Sequence, residues 1–213
     1  TVFKLKNAKT LNDTYKSLFG KIGMGLEYLF NRSGPISMAP SQLGVFAKSD
    51  PSLDDPNLQY HIQPLSLDAF GEPLHTFSAI TASVCNLQPD SRGTVTVRSP
   101  HTDDNPVIKP NYLSSQTDKD IAAKSITLTR NIFATEAMRK YEPTEFLPGA
   151  EHQSPQALAE QAGNISTSIF HPVGTAKMGT GKDAVVDREL NVYGIQNLRV
   201  VDASIMPKIT SGN

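Results

Sequence analysis

The order of the two hydrophobic periodicities limits what this chain can fold into more than any other feature. Strand signals come first. Leu58, Tyr60 and Ile62 alternate with Gln59, His61 and Gln63, the pattern of a strand with one face in a core. Residues 76–87 are rich in β-branched and small apolar types and predict a second strand. Arg92-Gly93 marks a turn, and Thr94-Val95-Thr96-Val97-Arg98 predicts a third strand. The stretch from Ser99 to Pro110 holds three prolines and an Asp-Asp-Asn cluster and reads as loop. The clearest helix follows, over about 118–140. Ile121, Leu128 and Ile132 share one stripe there, and Ser115 and Thr117 stand three residues before Asp118 and Asp120 in capping-box spacing. Strands followed by a long helix, without steady β-α alternation, predict an α+β fold with a mainly antiparallel sheet.

Both flanks add elements. Residues 11–30 predict helix, with Leu11, Tyr15, Leu18, Ile22, Leu26 and Leu29 on one face. Gly20, Gly23 and Gly25 each cost about 1 kcal/mol relative to Ala, which leaves two shorter helices open. Ser33-Gly34-Pro35 ends the segment. Ser154-Pro155 opens a short helix through about Gln161, closed at Gly163. In the tail, Val185-Val186 and Leu190-Asn191-Val192 flank a turn, and Asn197 to Asp202 predicts a buried strand with an acidic end.

Charge narrows the partners. Lys plus Arg is 20 against Asp plus Glu at 21, so neither nucleic acid nor an anionic membrane surface is expected as the main partner. No apolar run reaches the about 18 residues of a bilayer span. At 38% hydrophobic the chain can bury a real core. Cys85 is the single cysteine, so no internal disulfide forms; in its apolar strand it is expected to be a buried, inert thiol. Thr1-Val2-Phe3-Lys4-Leu5 carries neither a Met nor a leader, and the chain stops at Ser211-Gly212-Asn213; both ends read as cuts in a longer protein. A cytoplasmic or peripheral-membrane place is the expectation, without a targeting signal behind it.

Candidate chemistry concentrates in Phe170-His171-Pro172-Val173-Gly174-Thr175-Ala176-Lys177-Met178-Gly179. Pro172 biases His171 toward extended backbone and limits its mobility, which suits an imidazole that must meet a proton at a fixed place. Taken alone, a single His is more often structural. Gly174 and Gly179 have phosphate-loop spacing, but Thr180 follows where Lys is required, and no G-x-G-x-x-G occurs. The histidines at 61, 75, 101, 152 and 171 form no H-x-x-x-H pair, so no metal site is expected. The N-x-[ST] triplets at Asn12, Asn31 and Asn164 are no more than chance supplies.

The tail carries a resemblance. His171-Pro172-Val173-Gly174-Thr175 with Met178-Gly179, then Val185-Val186-Asp187, Gly194, Asn197 through Pro207, and Ser211-Gly212-Asn213 resemble, in order and spacing, the C-terminal part of the glucose-methanol-choline (GMC) oxidoreductases. Phe30 to Pro35, Leu58 to Ile62 and Arg92 to Asn111 look like the same family's substrate domain, near its choline-dehydrogenase-like branch. The resemblance implies an antiparallel sheet backed by helices, with residues 1–184 as substrate-binding domain and 185–213 as the start of the C-terminal segment of an FAD-binding domain. It implies FAD as cofactor, a small-molecule alcohol as substrate, and oxygen or a quinone-like molecule as electron acceptor. By position, His171 matches the family's active-site histidine and Asn213 its second catalytic position, while Asp202 and Ala203 match a segment lining the FAD. Without the glycine fingerprint, the chain by itself is expected neither to hold FAD nor to oxidise alcohols. A family Glu that suits choline, about eight residues past Gly34, is Gln42 here, so an uncharged alcohol is expected instead. The rival reading is a non-enzymatic α+β interaction domain that keeps the family's fold.

Overall fold

The computed structural model describes residues 1–39, 41–69 and 71–212. The chain forms two compact units, one of residues 1–86 and 119–166, the other of residues 87–118 and 167–212.

The first unit is built on a five-stranded antiparallel sheet in the order β2-β3-β4-β1-β7. Its strands are β1 (Val2–Lys4), β2 (Leu43–Ala47), β3 (Leu58–Gln63), β4 (Ala79–Asn86) and β7 (Thr144–Leu147). The predicted alternation sets the faces of β3: Leu58 and Tyr60 are 1% exposed, while Gln59, His61 and Gln63 point to the other face. Helix α3 (Gln116–Phe133) lies on the apolar face. Phe133 stacks on Phe3 with ring centroids 3.9 Å apart, and the Tyr60 hydroxyl meets Thr129 Oγ1 at 3.1 Å. Burial pushes the Tyr60 phenol above its ordinary pKa, against the Thr129 hydrogen bond. Helix α5 (Pro155–Ile165) packs Leu158 and Ala162 against Ala123 and Ile126 of α3. This is the α+β fold, antiparallel sheet backed by helices, that the periodicities predict.

Several boundaries differ from prediction. Residues 11–30 form two helices, α1 (Leu11–Lys16) and α2 (Leu18–Asn31), broken at Ser17, whose hydroxyl oxygen accepts the Gly20 amide. The periodic face of α2 is uncovered in this chain: Leu18, Ile22, Leu26 and Leu29 are all exposed. The helix at 118–140 stops at Phe133, and Thr135 starts a separate short helix, α4 (Glu136–Arg139). α5 runs through Gly163 to Ile165. Cys85 sits in β4 as predicted but is half-buried rather than buried. The amide of Asn12 is consumed internally, donating to the Ser66 and His75 carbonyls, both at 2.9 Å.

The second unit holds a two-stranded ribbon, β5 (Thr94–Thr96) with β6 (Val107–Lys109). β6 lies inside the stretch read as loop. Prolines at 106 and 110 flank it without entering it, and Val107-Ile108 supplies the β-branched pair. Gly93 is required at the turn, because a Cβ there would stand 2.2 Å from the Lys109 carbonyl oxygen. Asn197 to Asp202 is not a buried strand: Leu198 is 46% and Val201 72% exposed, and only Arg199 bridges to Asn191. Asn197 at φ 61° and the 3₁₀ turn Ala203–Ile205 leave too little extended backbone for a ladder. No helix among the described residues is long and apolar enough to cross a membrane.

Two buried ionic groups fix loops. Arg130 on α3 grips Glu145 on β7 through both carboxylate oxygens, at 2.8 and 2.9 Å, and donates to the His152 and Gly149 carbonyls. The Glu145 side chain is 6% exposed, so Arg130→Ala leaves a buried carboxylate unpaired and is expected to cost about 3–5 kcal/mol in chemical denaturation. Asp118 is 4% exposed and accepts the Asp90 amide at 3.0 Å and the Ser91 amide at 2.8 Å. Burial alone raises its pKa; the bonds from Ser91, Asp90 and Ser115 outweigh this and hold it below the ordinary carboxylate value. A carboxylate with a depressed folded pKa contributes stability above its unfolded pKa of about 4, lost as pH falls through the folded pKa. Asp118→Asn should therefore destabilise the protein at pH 7 and flatten the loss of stability below about pH 4, read from denaturation midpoints across pH.

Candidate active site

Residues 176–178 and 204–205 come from separate blocks of the tail, and backbone hydrogen bonds lay them side by side. Ala176 N–H donates to the Ser204 carbonyl at 3.0 Å, and Met178 N–H donates to the Ile205 carbonyl at 2.7 Å. Gly174 makes the close approach possible. It has φ 89°, and a Cβ there would lie 3.2 Å from the Met206 carbonyl oxygen. A second layer supports the strip from behind: Val185 N–H donates to Lys177 O at 2.9 Å, Gly179 N–H to Val186 O at 3.1 Å, and Tyr193 N–H to Val185 O at 3.0 Å. Val186 is completely buried there. Met178 and Gly179 are thus held from two directions, while His171 and Pro172 at the start of the strip are exposed.

Two carboxylates shape the turns. Asp202 caps the 3₁₀ turn, its Oδ1 accepting the Ser204 amide at 2.8 Å. The Ser204 hydroxyl and amide hold its carboxyl below the ordinary range. Its conceivable strand-end partner, Arg199, donates instead to Asn191 Oδ1 at 3.0 Å. Asp187 accepts the Glu189 and Asn191 amides, each at 2.9 Å. Burial raises the Asp187 pKa, but the bonds from Asn191 and Glu189, with the charge of Arg199, bring it below the usual value.

Of the residues singled out from sequence, His171, Asp202 and Ala203 lie on adjoining segments of one unit. All three are exposed. Asn213 lies outside the described residues. Gln42 is exposed next to β2 in the first unit, its amide bonded to the Ile62 carbonyl at 3.1 Å. The second compact unit takes in residues 87–118 and 167–212, on both sides of residue 185, and Met178 bridges to Val186 within it. Sequence reading passed over Tyr112 and Ser168, which share a 2.9 Å hydrogen bond two residues before Phe170. The stretch read as loop ends at Pro110, and positive φ at Asn111, Leu113 and Phe170 marks the backbone on both sides of the contact. Among the described residues, no group of three or more His, Cys, Asp or Glu side chains could hold a metal ion.

At Ala203 only a methyl group stands over the exposed backbone, and the Asp202 carboxylate is already bonded within its own turn. The site depends on Gly174. Gly174→Ala forces a side chain into the left-handed region and against Met206 O, and is expected to lower stability by about 1–2 kcal/mol in thermal denaturation.

Residues 89–213 match the GMC oxidoreductase C-terminal family model. The chain is 38% identical over 194 residues to alcohol dehydrogenase [acceptor] of Pseudomonas putida, covering 91% of this chain and 35% of that protein. It is 38% identical over 206 residues to mitochondrial choline dehydrogenase of Homo sapiens, covering 96% of this chain and 34% of that one. It superimposes on formate oxidase of Aspergillus oryzae with a TM-score of 0.86 at 23% identity, covering 98% of this chain and 41% of that one, a likeness of fold. The chain spans about a third of the length of the curated relatives it matches. It belongs to the GMC oxidoreductases.

Proposed function

We propose that this chain is the substrate-binding part of an FAD-dependent alcohol oxidoreductase, which removes a proton and a hydride from R-CHOH to give an aldehyde or ketone. The observation that carries the reading is the backbone pairing of Ala176 with Ser204 and of Met178 with Ile205, which joins the stretch that follows His171 to the stretch that follows Asp202-Ala203. Membership of the GMC family supports it. In this reading residues 1–184 serve the substrate, and residues 185–213 contribute to the flavin side.

Asp202 and Ala203 are the residues of this chain that would line the flavin. The flavin, when bound, supplies the hydride acceptor. The His171 imidazole accepts or hydrogen-bonds the proton of the substrate hydroxyl, a contribution of about 10²–10⁴ in rate. Pro172 keeps that imidazole from wandering. Asn213, by its place in the family pattern, steadies the developing alkoxide with its amide. Electrons leave to oxygen or to a quinone-like acceptor.

The substrate is a neutral alcohol. With the amide of Gln42 where choline-oxidising members carry a carboxylate, a quaternary ammonium loses its hydration without a counter-charge. The likeness to choline dehydrogenase makes this a sharp comparison.

Two measurements on the full-length, flavin-loaded protein test the reading. His171→Ala should slow flavin reduction in rapid mixing by at least about 10² while flavin content stays near normal; a change within a few-fold removes His171 from the chemistry. The kcat/KM for a neutral primary alcohol should exceed that for choline, and Gln42→Glu should move the ratio toward choline. Choline preferred tenfold or more by the parent defeats the assignment of Gln42.

A further inference from the structure

We propose that Tyr112 and Ser168 are positioning residues for His171, acting through the left-handed backbone of Phe170. The proposal rests on reading His171 as the group that meets the substrate hydroxyl.

Phe170 stands at φ 64°. A bulky residue is disfavoured in that region, and holds it only where its surroundings over-determine it. Burial of the ring is a weak restraint, because Phe170 is 70% exposed. Hydrogen bonds supply a stronger one. The Phe170 amide donates to Ser168 Oγ at 3.0 Å, closing a two-residue turn on the serine side chain. The Tyr112 hydroxyl donates to the same oxygen at 2.9 Å. Ser168 Oγ is therefore a shared acceptor, fixed from outside its own segment.

Tyr112 can act as an anchor because its own backbone is pinned. Asn111 Nδ2 donates to the Arg92 carbonyl at 3.0 Å, and the Ser114 and Ser115 amides donate to Ser91 Oγ at 3.0 and 3.2 Å. Ser91 is in turn held by the buried Asp118 carboxylate. A continuous path of hydrogen bonds thus runs from Asp118 through Ser91, the 111–115 loop and Tyr112 to Ser168 and the Phe170 amide. His171 is the next residue. Pro172 restricts it on one side and the Phe170 turn directs it on the other. Release of the turn lets Phe170 relax toward ordinary φ and swings the imbalance one bond along, into the His171 backbone.

The test is a double-mutant cycle in the full-length, flavin-loaded enzyme: parent, Tyr112→Phe, His171→Ala and the pair. Tyr112→Phe keeps the ring and removes only the hydroxyl. It should slow flavin reduction about tenfold at unchanged flavin content, since misplacement by about 1 Å costs up to 10². In the His171→Ala background it should cause no further loss, which damage to the fold at large cannot imitate. Hydrogen exchange should show the segment 168–171 opening faster in Tyr112→Phe. If that variant fails to retain flavin, Ser168→Ala, which removes the shared acceptor, is read in the same cycle. Equal losses in both backgrounds, or an unchanged rate and unchanged exchange in Tyr112→Phe, overturn the proposal. A His171→Ala rate close to the parent's is distinct from these and overturns the catalytic reading of His171, and the proposal with it.

Discussion

Three residues join the sheet. β1, Val2 to Lys4, pairs on one side with β4 and on the other with β7, so β2-β3-β4 and β7 belong to one sheet only through it. The join is non-local in sequence, from the start of the chain to residues 79–81 and 144–147. Three ladder positions cannot hold such a span by hydrogen bonds alone, since each nets only about 0.5–1.5 kcal/mol. Side chains do the rest. Phe3 is 5% exposed and stacks on Phe133, so the strand that joins the sheet also docks its long helix. β7 then carries Glu145 to Arg130 of that helix, closing a ring of sheet and helix contacts.

The second unit is organised differently. Among the described residues it has one short ribbon and a few isolated bridges, so most of its backbone donors are satisfied piecemeal. Carboxylates and hydroxyls take that part. Asp118 serves the 90–91 turn, Asp187 the 189–191 turn and Asp202 the 3₁₀ turn. Each collects amides that regular structure would otherwise have paired. Such turns place particular atoms closely without a large core, and that is a fitting substrate for a site assembled from short blocks.

Much of this was legible before any coordinates. The alternation from Leu58 to Gln63 sets the faces of the central strand because that strand is packed in this chain; of the helical stripe Ile121, Leu128 and Ile132, Leu128 packs against the sheet core while Ile132 is 40% exposed. The family pattern of the tail singles out His171, Asp202 and Ala203; what the structure adds is the pairing of Ala176 with Ser204 and of Met178 with Ile205 in the stretches that follow them. The failures share a cause. Leu198 and Val201 look like core by composition but are uncovered, and β6 is too short, between two prolines, for periodicity to register. The Tyr112–Ser168 contact spans 56 residues, a separation no local pattern encodes.

The uncovered face of α2 has a practical consequence. Phe19 is 85% exposed and Phe30 77%, and next to them in sequence β2 forms the edge of the sheet with Leu43 and Phe46 turned outward. A sticky helix face and an extendable strand edge are the two surface features through which polypeptides self-associate. Handled by itself, this chain has a net charge of only −1 to keep its copies apart. In concentrated solution these few apolar side chains are the surface through which copies of the chain would meet.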